Sequence, residues 1–285
     1  MRARKWICIT GASTGIGRAT TEYLAQKGFS IYATARKQSD LDDLNQLDYV
    51  TSIQLDVTKP QEVAAAFNFI NSQGTGLDAL INNAGIACAG PLMDLPEADL
   101  IEQLDVNLVG IHRVTCAFFS LLLKSQGRII MVSSNSGFFA APFFGPYNVS
   151  KFALEGYADT LRRELLLYGM KVIIIQPGSI HTPIWKKGET YLEDDRFQSS
   201  LFKDEARGIG EYAIKKGTTK GMNPIKVAEA IHKALTQKKP KLRYLIAPDR
   251  FRNFLLRHLP DSWIDNMIKK ELQKFKADPS DQEKD

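Results

Sequence analysis

A short apolar strand, Lys5–Thr10, runs directly into Thr10-Gly11-Ala12-Ser13-Thr14-Gly15-Ile16-Gly17. A helical pattern through Ala19, Tyr23 and Leu24 follows and ends at Gly28. This succession constrains the chain more than any other stretch of it. Glycines between a strand and a helix start let backbone N–H groups come close to a pyrophosphate, and the helix N-terminus stabilises its charge. A glycine cluster alone is an ordinary turn; between this strand and this helix it reads as a phosphate cradle.

The same alternation continues along the chain. Strand two, Phe29–Thr34, ends in Ala35-Arg36-Lys37, where an NAD site would place an acid to accept the ribose 2′-OH. Arg36 can instead pair with a 2′-phosphate, so NADP is favoured over NAD. Strand three, Val50–Leu55, is followed by Asp56-Val57, an acid placed to hold an adenine amino group. Pro60 starts a helix through Val63, Ala66, Phe67 and Ile70. Strand four, Leu77–Ile81, leads into the small, amide-rich turn Asn82-Asn83-Ala84-Gly85. A helical pattern then runs from about Glu97 to Leu123, with Asn107 out of place among Leu104, Val106, Leu108 and Ile111.

Strand five, Gly127–Val132, opens into Ser134–Lys151. Tyr147 and Lys151 stand four apart, so in a helix they share one face. A phenol titrates near ~10 and exchanges protons poorly at neutral pH, but a neighbouring ammonium favours the phenolate. Lowering it by about three pH units corresponds to about 4 kcal/mol. Met170–Gln176 forms strand six, ending in Pro177-Gly178-Ser179-Ile180-His181-Thr182-Pro183. Pro224–Thr236 reads as a helix and Arg243–Ala247 as strand seven. Arg250–Leu259 and Ser262–Phe275 read as apolar-striped basic helices, and the last ten residues are predicted to be disordered. The pattern predicts one α/β domain over residues 1–275, a doubly wound parallel sheet with its sites at the strands' carboxyl ends.

Between Ile184 and Met222 the alternation stops. This insert carries Trp185, Tyr191, Phe197, Leu201, Phe202, Ile209 and Tyr212 and is predicted to form one or two short helices closing over the site. With 44% hydrophobic and 24% charged residues, the composition is that of a soluble globular protein. No apolar run approaches the ~20 residues of a membrane span, and no secretory signal precedes the first strand. Cys8, Cys88 and Cys116 are too scattered for a disulfide framework or a metal knuckle, and the four histidines show no ligand spacing. The reading is therefore cytoplasmic and metal-free. The net charge of +5 lies from Asn223 onward, where 14 Lys+Arg face 9 Asp+Glu. That charge reads as a solvated surface or as contact with an anionic membrane or acidic partner; nothing resembles a nucleic-acid module.

Taken together, Thr10–Gly17, Asn82–Gly85, Asn107, Ser134, Tyr147/Lys151 and Pro177–Thr182 resemble the short-chain dehydrogenase/reductases, in the single-domain branch with the Gly-x-x-x-Gly-x-Gly loop. A softer likeness, in the Arg-Tyr-Leu strand and the following Leu-Pro-Asp, is to the retinol/steroid dehydrogenase group. The resemblance implies a seven-stranded Rossmann fold and gives the residues roles. Tyr147 would be the acid/base, Lys151 would lower its pKa and hydrogen-bond the nicotinamide ribose, and Ser134 would steady the substrate oxygen. Asn107 would hold a water linking Lys151 to solvent. Gly11, Ser13, Gly15, Ile16 and Gly17 would line the phosphates and adenosine ribose. Asp56 and Val57 would contact adenine, with Asn83, Ala84 and Gly85 beneath the ribose. Ile180 and Thr182 would meet the carboxamide after the Pro177-Gly178 turn. A homodimer or homotetramer through the helices of Asn107 and Lys151 follows by the same analogy.

Phe138, Phe139, Phe143 and Phe144, with Trp185 and Phe202, suggest a hydrophobic alcohol or ketone as substrate. The implied activity is hydride transfer between NADP(H) and such a substrate. The alternatives are an NAD-dependent alcohol dehydrogenase and a non-catalytic nucleotide sensor, which has no need of a tuned phenol.

Overall fold

Successive residues of a strand point to opposite faces, and in this sheet both faces are apolar. The computed structural model describes residues 4–192 and 195–275; the tail expected at 276–285 lies outside the described residues. The strands are β1 (Trp6–Ile9), β2 (Ser30–Ala35), β3 (Val50–Gln54), β4 (Ala79–Asn82), β5 (Arg128–Val132), β6 (Lys171–Pro177) and β7 (Arg243–Ile246). They form one parallel sheet in the order β3-β2-β1-β4-β5-β6-β7. The order reverses between β1 and β4, which opens the crevice where such sheets bind ligands.

Ile7, Ile9 and Ile31 face one layer, in which Leu24 of α1 (Gly15–Gln26) and Val227 and Ile231 of α9 (Ile225–Thr236) are buried. Cys8, Tyr32, Leu80 and Ile129 face the other. There they meet Val63 and Ile70 of α3 (Pro60–Ser72), Phe118 of α5 (Gly110–Ser125) and Leu154 of α6 (Gly145–Glu164). Each fully buried large side chain contributes about 1.5–3 kcal/mol.

The helix expected from Glu97 to Leu123 is present, running from Glu97 to Ser125 with a π-helical turn in its middle. α4 (Glu97–Leu104) passes into a π-helical turn, Asp105–Val109, before α5 resumes. The whole run, Glu97–Ser125, is long and apolar enough by composition to cross a bilayer, with mean hydropathy 1.6 over its most apolar window. Its buried stripe of Ile111, Val114, Phe118, Leu121 and Leu122 lies against the sheet, as a core helix does.

Two elements depart from the sequence reading. A short helix, α2 (Gln38–Leu44), buries only Leu41 and Leu44, too few apolar residues to mark a period. The insert after β6 is mostly regular: α7 (Ile184–Leu192) and then α8 (Lys203–Lys220), which at 18 residues is not short. Trp185 lies against Gly217 and donates from Nε1 to the Ile180 carbonyl at 2.7 Å, tying the two helices to the body. The ends of the insert are also pinned together, since His181 N–H donates to Met222 O and Met222 N–H to Ser179 O, both at 2.9 Å.

Helix α10 (Arg250–His258) is basic as expected, whereas α11 (Asp261–Leu272), with three acids against two lysines, is not. Asn253 of α10 is buried, α11 buries no residue, and Phe251, Phe254, Trp263 and Met267 are exposed.

Candidate active site

The residues singled out in the sequence lie where strands end. After β1, Gly11 and Gly15 adopt φ of 64° and 55°, a conformation that glycine enters without penalty. A Cβ on Gly11 would stand 2.9 Å from the Ala84 Cα. One on Gly17 would overlap the Gly11 carbonyl and approach the Asn83 amide nitrogen to 2.6 Å. Helix α1 starts at Thr14 with no side-chain cap and no acid in its first turn, so the protein's own side chains do not cover its leading amides. Ser13 lies in this turn, partly buried, and Ile16 packs on the core. The turn thus has the small residues and outward amides that a pyrophosphate requires.

The turn after β4 locks this cradle. Asn83 Nδ2 donates to the Thr10 and Gly11 carbonyls, each at 2.9 Å. Thr10 Oγ1 accepts from the Asn83 and Ala84 amides at 2.9 and 3.0 Å. The loop after β6 comes in from the other side. Gly178 N–H donates to Ile246 O at 2.9 Å, Ile180 is buried, and Thr182 Cγ2 lies 3.2 Å from where a Gly15 Cβ would be.

Arg36, at the end of β2, is exposed and makes no ion pair among the described residues. Asp56 Oδ1 accepts from the Thr58 amide and hydroxyl at 3.0 and 2.7 Å. Burial works to raise its pKa, but these bonds and the charges of Arg36 and Lys59 outweigh it and hold the carboxyl low. Val57 is buried in the core, where its side chain packs against Gly110 and its carbonyl accepts from Arg113.

Asn107 sits in the π-helical turn and is fully buried. Its Oδ1 accepts from Ile86 N at 2.9 Å, and its Nδ2 donates to Ile86 O at 3.0 Å and Ser150 Oγ at 3.1 Å. One turn earlier, Gln103 binds the same segment through Cys88 N (2.7 Å) and Ile86 O (2.9 Å). The side chain of Asn107 is therefore spent on holding Ile86 and Ser150. Gly85 lies beside it, 3.2 Å from the Asn107 Oδ1 at its Cβ position.

Ser134 caps a short turn after β5: its Oγ accepts from Ser136 N at 3.1 Å and lies 3.4 Å from the Pro177 carbonyl. Tyr147 and Lys151 face it from α6. Lys151 is buried; its Nζ donates to Val132 O at 3.0 Å and lies 5.6 Å from the Tyr147 ring centroid. Burial lowers the Lys151 pKa to about 8, with Glu155 acting to raise it. Burial raises the Tyr147 phenol, with the Ser134 hydroxyl acting to lower it. In the resting site the phenol is therefore not lowered as expected. The ammonium is turned to a carbonyl, and desolvation dominates.

Sequence reasoning missed Gln103, Ser150 and the carboxylate of Glu155. Gln103 carried a signal in its spacing alone, a second amide four residues before Asn107 and so on the same helix face.

Two aromatic residues of the insert pack on different partners. Phe197 packs against Gly90, whereas Phe202 meets Phe143 at a centroid distance of 6.1 Å. The side chain of Tyr191 lies outside the described residues.

The family model for short chain dehydrogenase matches residues 5–192. An NADPH-dependent 3-dehydrocapnine reductase of Ornithobacterium rhinotracheale is 34% identical, covering 95% of this chain and 98% of its own. A 3-ketodihydrosphingosine reductase of Bacteroides thetaiotaomicron is 31% identical over 95% and 97%. A solved short-chain dehydrogenase from Streptomyces avermitilis superposes with a TM-score of 0.78, at 25% identity and 96% coverage of each chain.

Proposed function

The chain belongs to the short chain dehydrogenases and is an NAD(P)-dependent oxidoreductase, and from that premise we propose that it reduces a ketone on a hydrophobic substrate, preferring NADPH. One observation carries this reading: Ser134, Tyr147 and Lys151 converge at the carboxyl end of β5, on the side of the sheet where Thr182 meets the glycine turn. The cofactor would supply the hydride. Tyr147 gives its phenolic proton to the carbonyl oxygen as negative charge develops there, and Ser134 Oγ donates a second hydrogen bond to that oxygen. Lys151 would stabilise the phenolate left behind and would hydrogen-bond the nicotinamide ribose of a bound cofactor. A water supplying the replacement proton would meet Asn107 through its main chain, because the side chain is engaged.

Exposed Arg36, with no ion pair among the described residues, supports the 2′-phosphate and hence NADP over NAD. The glycine turn would take the pyrophosphate on its amides, with Asp56 at the adenine. Support for a lipophilic ketone comes from the Phe143–Phe202 contact and from the two relatives, whose names place a keto or dehydro group at carbon 3. The 184–222 insert acts as the substrate lid on one domain spanning 1–275. Exposed Val149 and Phe152 on α6 and Leu123 on α5 support pairing of two copies through those helices.

The test is Tyr147→Phe, which removes one oxygen. NADPH binding followed by fluorescence should be unchanged, while turnover of a long-chain 3-oxo substrate should fall by at least a hundredfold. Undiminished turnover would refute the assignment.

A further inference from the structure

Lys151 is enclosed, and burial works against its charge. One helical turn further along α6, Glu155 shares its face and is itself nearly buried, its side chain 11% exposed. Three elements hold this carboxylate. Gln176 Nε2 of β6 donates to Oε1 at 3.0 Å, and Arg243 Nε of β7 donates to Oε2 at 2.9 Å. The loop after β5 closes the third side. A Cβ on Gly137 would stand 2.8 Å from Glu155 Cγ, 3.2 Å from its Oε1 and 2.9 Å from Ser133 Oγ. Gly137 is thus the residue that lets the loop bearing Ser134 lie down on Glu155.

The charges around this pair are few. On α6 they are Lys151 and Asp159, with the phenol of Tyr147 beyond. From β7 there is Arg243, whose Nη2 also meets Asp159 Oδ1 at 3.0 Å, and Arg162 approaches the same oxygen at 3.5 Å. β5 and β6 present only the Val132 carbonyl and the Gln176 amide.

We propose that Glu155 is a positioning residue: clamped between β6, β7 and the Ser134 loop, its carboxylate keeps Lys151 an ammonium. This deepens the reading of Lys151 given above. Arg243 fixes the carboxylate in place but competes for its charge, so the two partners of one ion pair act on Lys151 with opposite sign.

That opposition supplies the test. Glu155→Gln and Arg243→Gln each break the same 2.9 Å contact. The readout is the 13Cε signal of Lys151 in lysine-labelled protein, identified by its loss in Lys151→Arg and titrated with pH. In E155Q the midpoint should fall by about one pH unit, the response expected when a nearby counter-charge is removed. In R243Q it should stay or rise. The affinity for NADPH should weaken at correspondingly lower pH in E155Q. A midpoint unmoved in E155Q, or falling as far in R243Q as in E155Q, overturns the proposal in favour of a structural clamp. Should E155Q not fold, Glu155→Asp decides: withdrawing the carboxylate by one methylene should lower the midpoint, and an unmoved midpoint there overturns the proposal. The titration needs no substrate, so its outcome is independent of whether Tyr147→Phe retains turnover.

Discussion

Two adjacent asparagines at the end of β4 offer a test of how the cofactor cradle is built. Asn83 reaches over the sheet's edge, and its amide donates to the Thr10 and Gly11 carbonyls at 2.9 Å each. Thr10 is 1% exposed, so at least one of these carbonyls would be left without a ready water partner in Asn83→Ala. Two hydrogen bonds at a net of about 1 kcal/mol each give a loss of about 2 kcal/mol. With an unfolding entropy of about 2.1 cal/mol/K per residue over 285 residues, that corresponds to roughly a 3 °C fall in Tm. Asn82 points the other way: its Nδ2 meets Thr115 Oγ1 at 3.0 Å and Met131 Sδ at 3.4 Å, under the sheet. Asn82→Ala should cost comparable stability but leave the cradle in place. Scanning calorimetry supplies Tm, and quenching of protein fluorescence by NADPH supplies Kd. Asn83→Ala should weaken Kd about tenfold, the equivalent of ~1.4 kcal/mol, and Asn82→Ala should leave it within about twofold. If both variants lose affinity in proportion to their stability, the lock on the glycine turn has no role of its own.

Other perturbations bear on the remaining parts. Arg36→Asp should move the kcat/KM ratio from NADPH toward NADH by at least tenfold; a constant ratio removes the 2′-phosphate role. Phe202→Ala, deleting one partner of the Phe143 contact, should raise KM for a long-chain ketone while leaving the Kd for NADPH alone, and the reverse pattern would take the lid away from the substrate. At Asp159 burial works to raise the pKa, but the bond and charge of Arg243 and the charge of Arg162 outweigh it, so the folded value lies below the ordinary 3.8. Its stabilisation is therefore complete above about pH 4 and lost as pH falls through the lower folded value. Urea midpoints between about pH 2 and 5 should decline less steeply in Asp159→Asn than in the parent; identical slopes would contradict this.

What could be read from the sequence follows from where its information is local. Seven strands were legible because each is a short apolar run bounded by turn residues, and β1 with its glycine turn is local in every respect. Helix α2 was not, since Leu41 and Leu44 alone set no period and its tie to α1, the Arg18–Asp43 ion pair, joins residues far apart in the chain. The π-helical turn was legible only as an anomaly: Asn107 looked misplaced in an α-helix, and the extra residue of the turn re-aims it inward. Of the site, Tyr147 and Lys151 could be paired by spacing. The electrostatic consequence could not, because it depends on how deeply α6 sinks against β5 and on which carbonyl meets the ammonium. Trp185 illustrates the same limit. Its ring was a candidate for the substrate wall but packs on Gly217, 32 residues away.

The direction of these shifts bears on which way the reaction runs. Oxidation of an alcohol needs the phenolate of Tyr147 before hydride leaves, whereas reduction of a ketone needs the phenol. Burial disfavours the phenolate, so the resting site holds the proton that a reductase donates. The same burial leaves Lys151 near 8, still charged at neutral pH but with little reserve. Reduction creates a phenolate beside that ammonium, and a phenolate favours the ammonium in turn, so the pair is bound more strongly after proton transfer than before. Interactions that strengthen along the reaction are those that lower its barrier. On this argument the reductive direction is the one the folded charges favour near pH 7, and oxidation should require more alkaline solution. Measured with one substrate pair, the acid limb of the oxidative kcat/KM should lie above the working pH of the reductive one. Coincident limbs would mean that the phenol titrates near neutrality despite its burial.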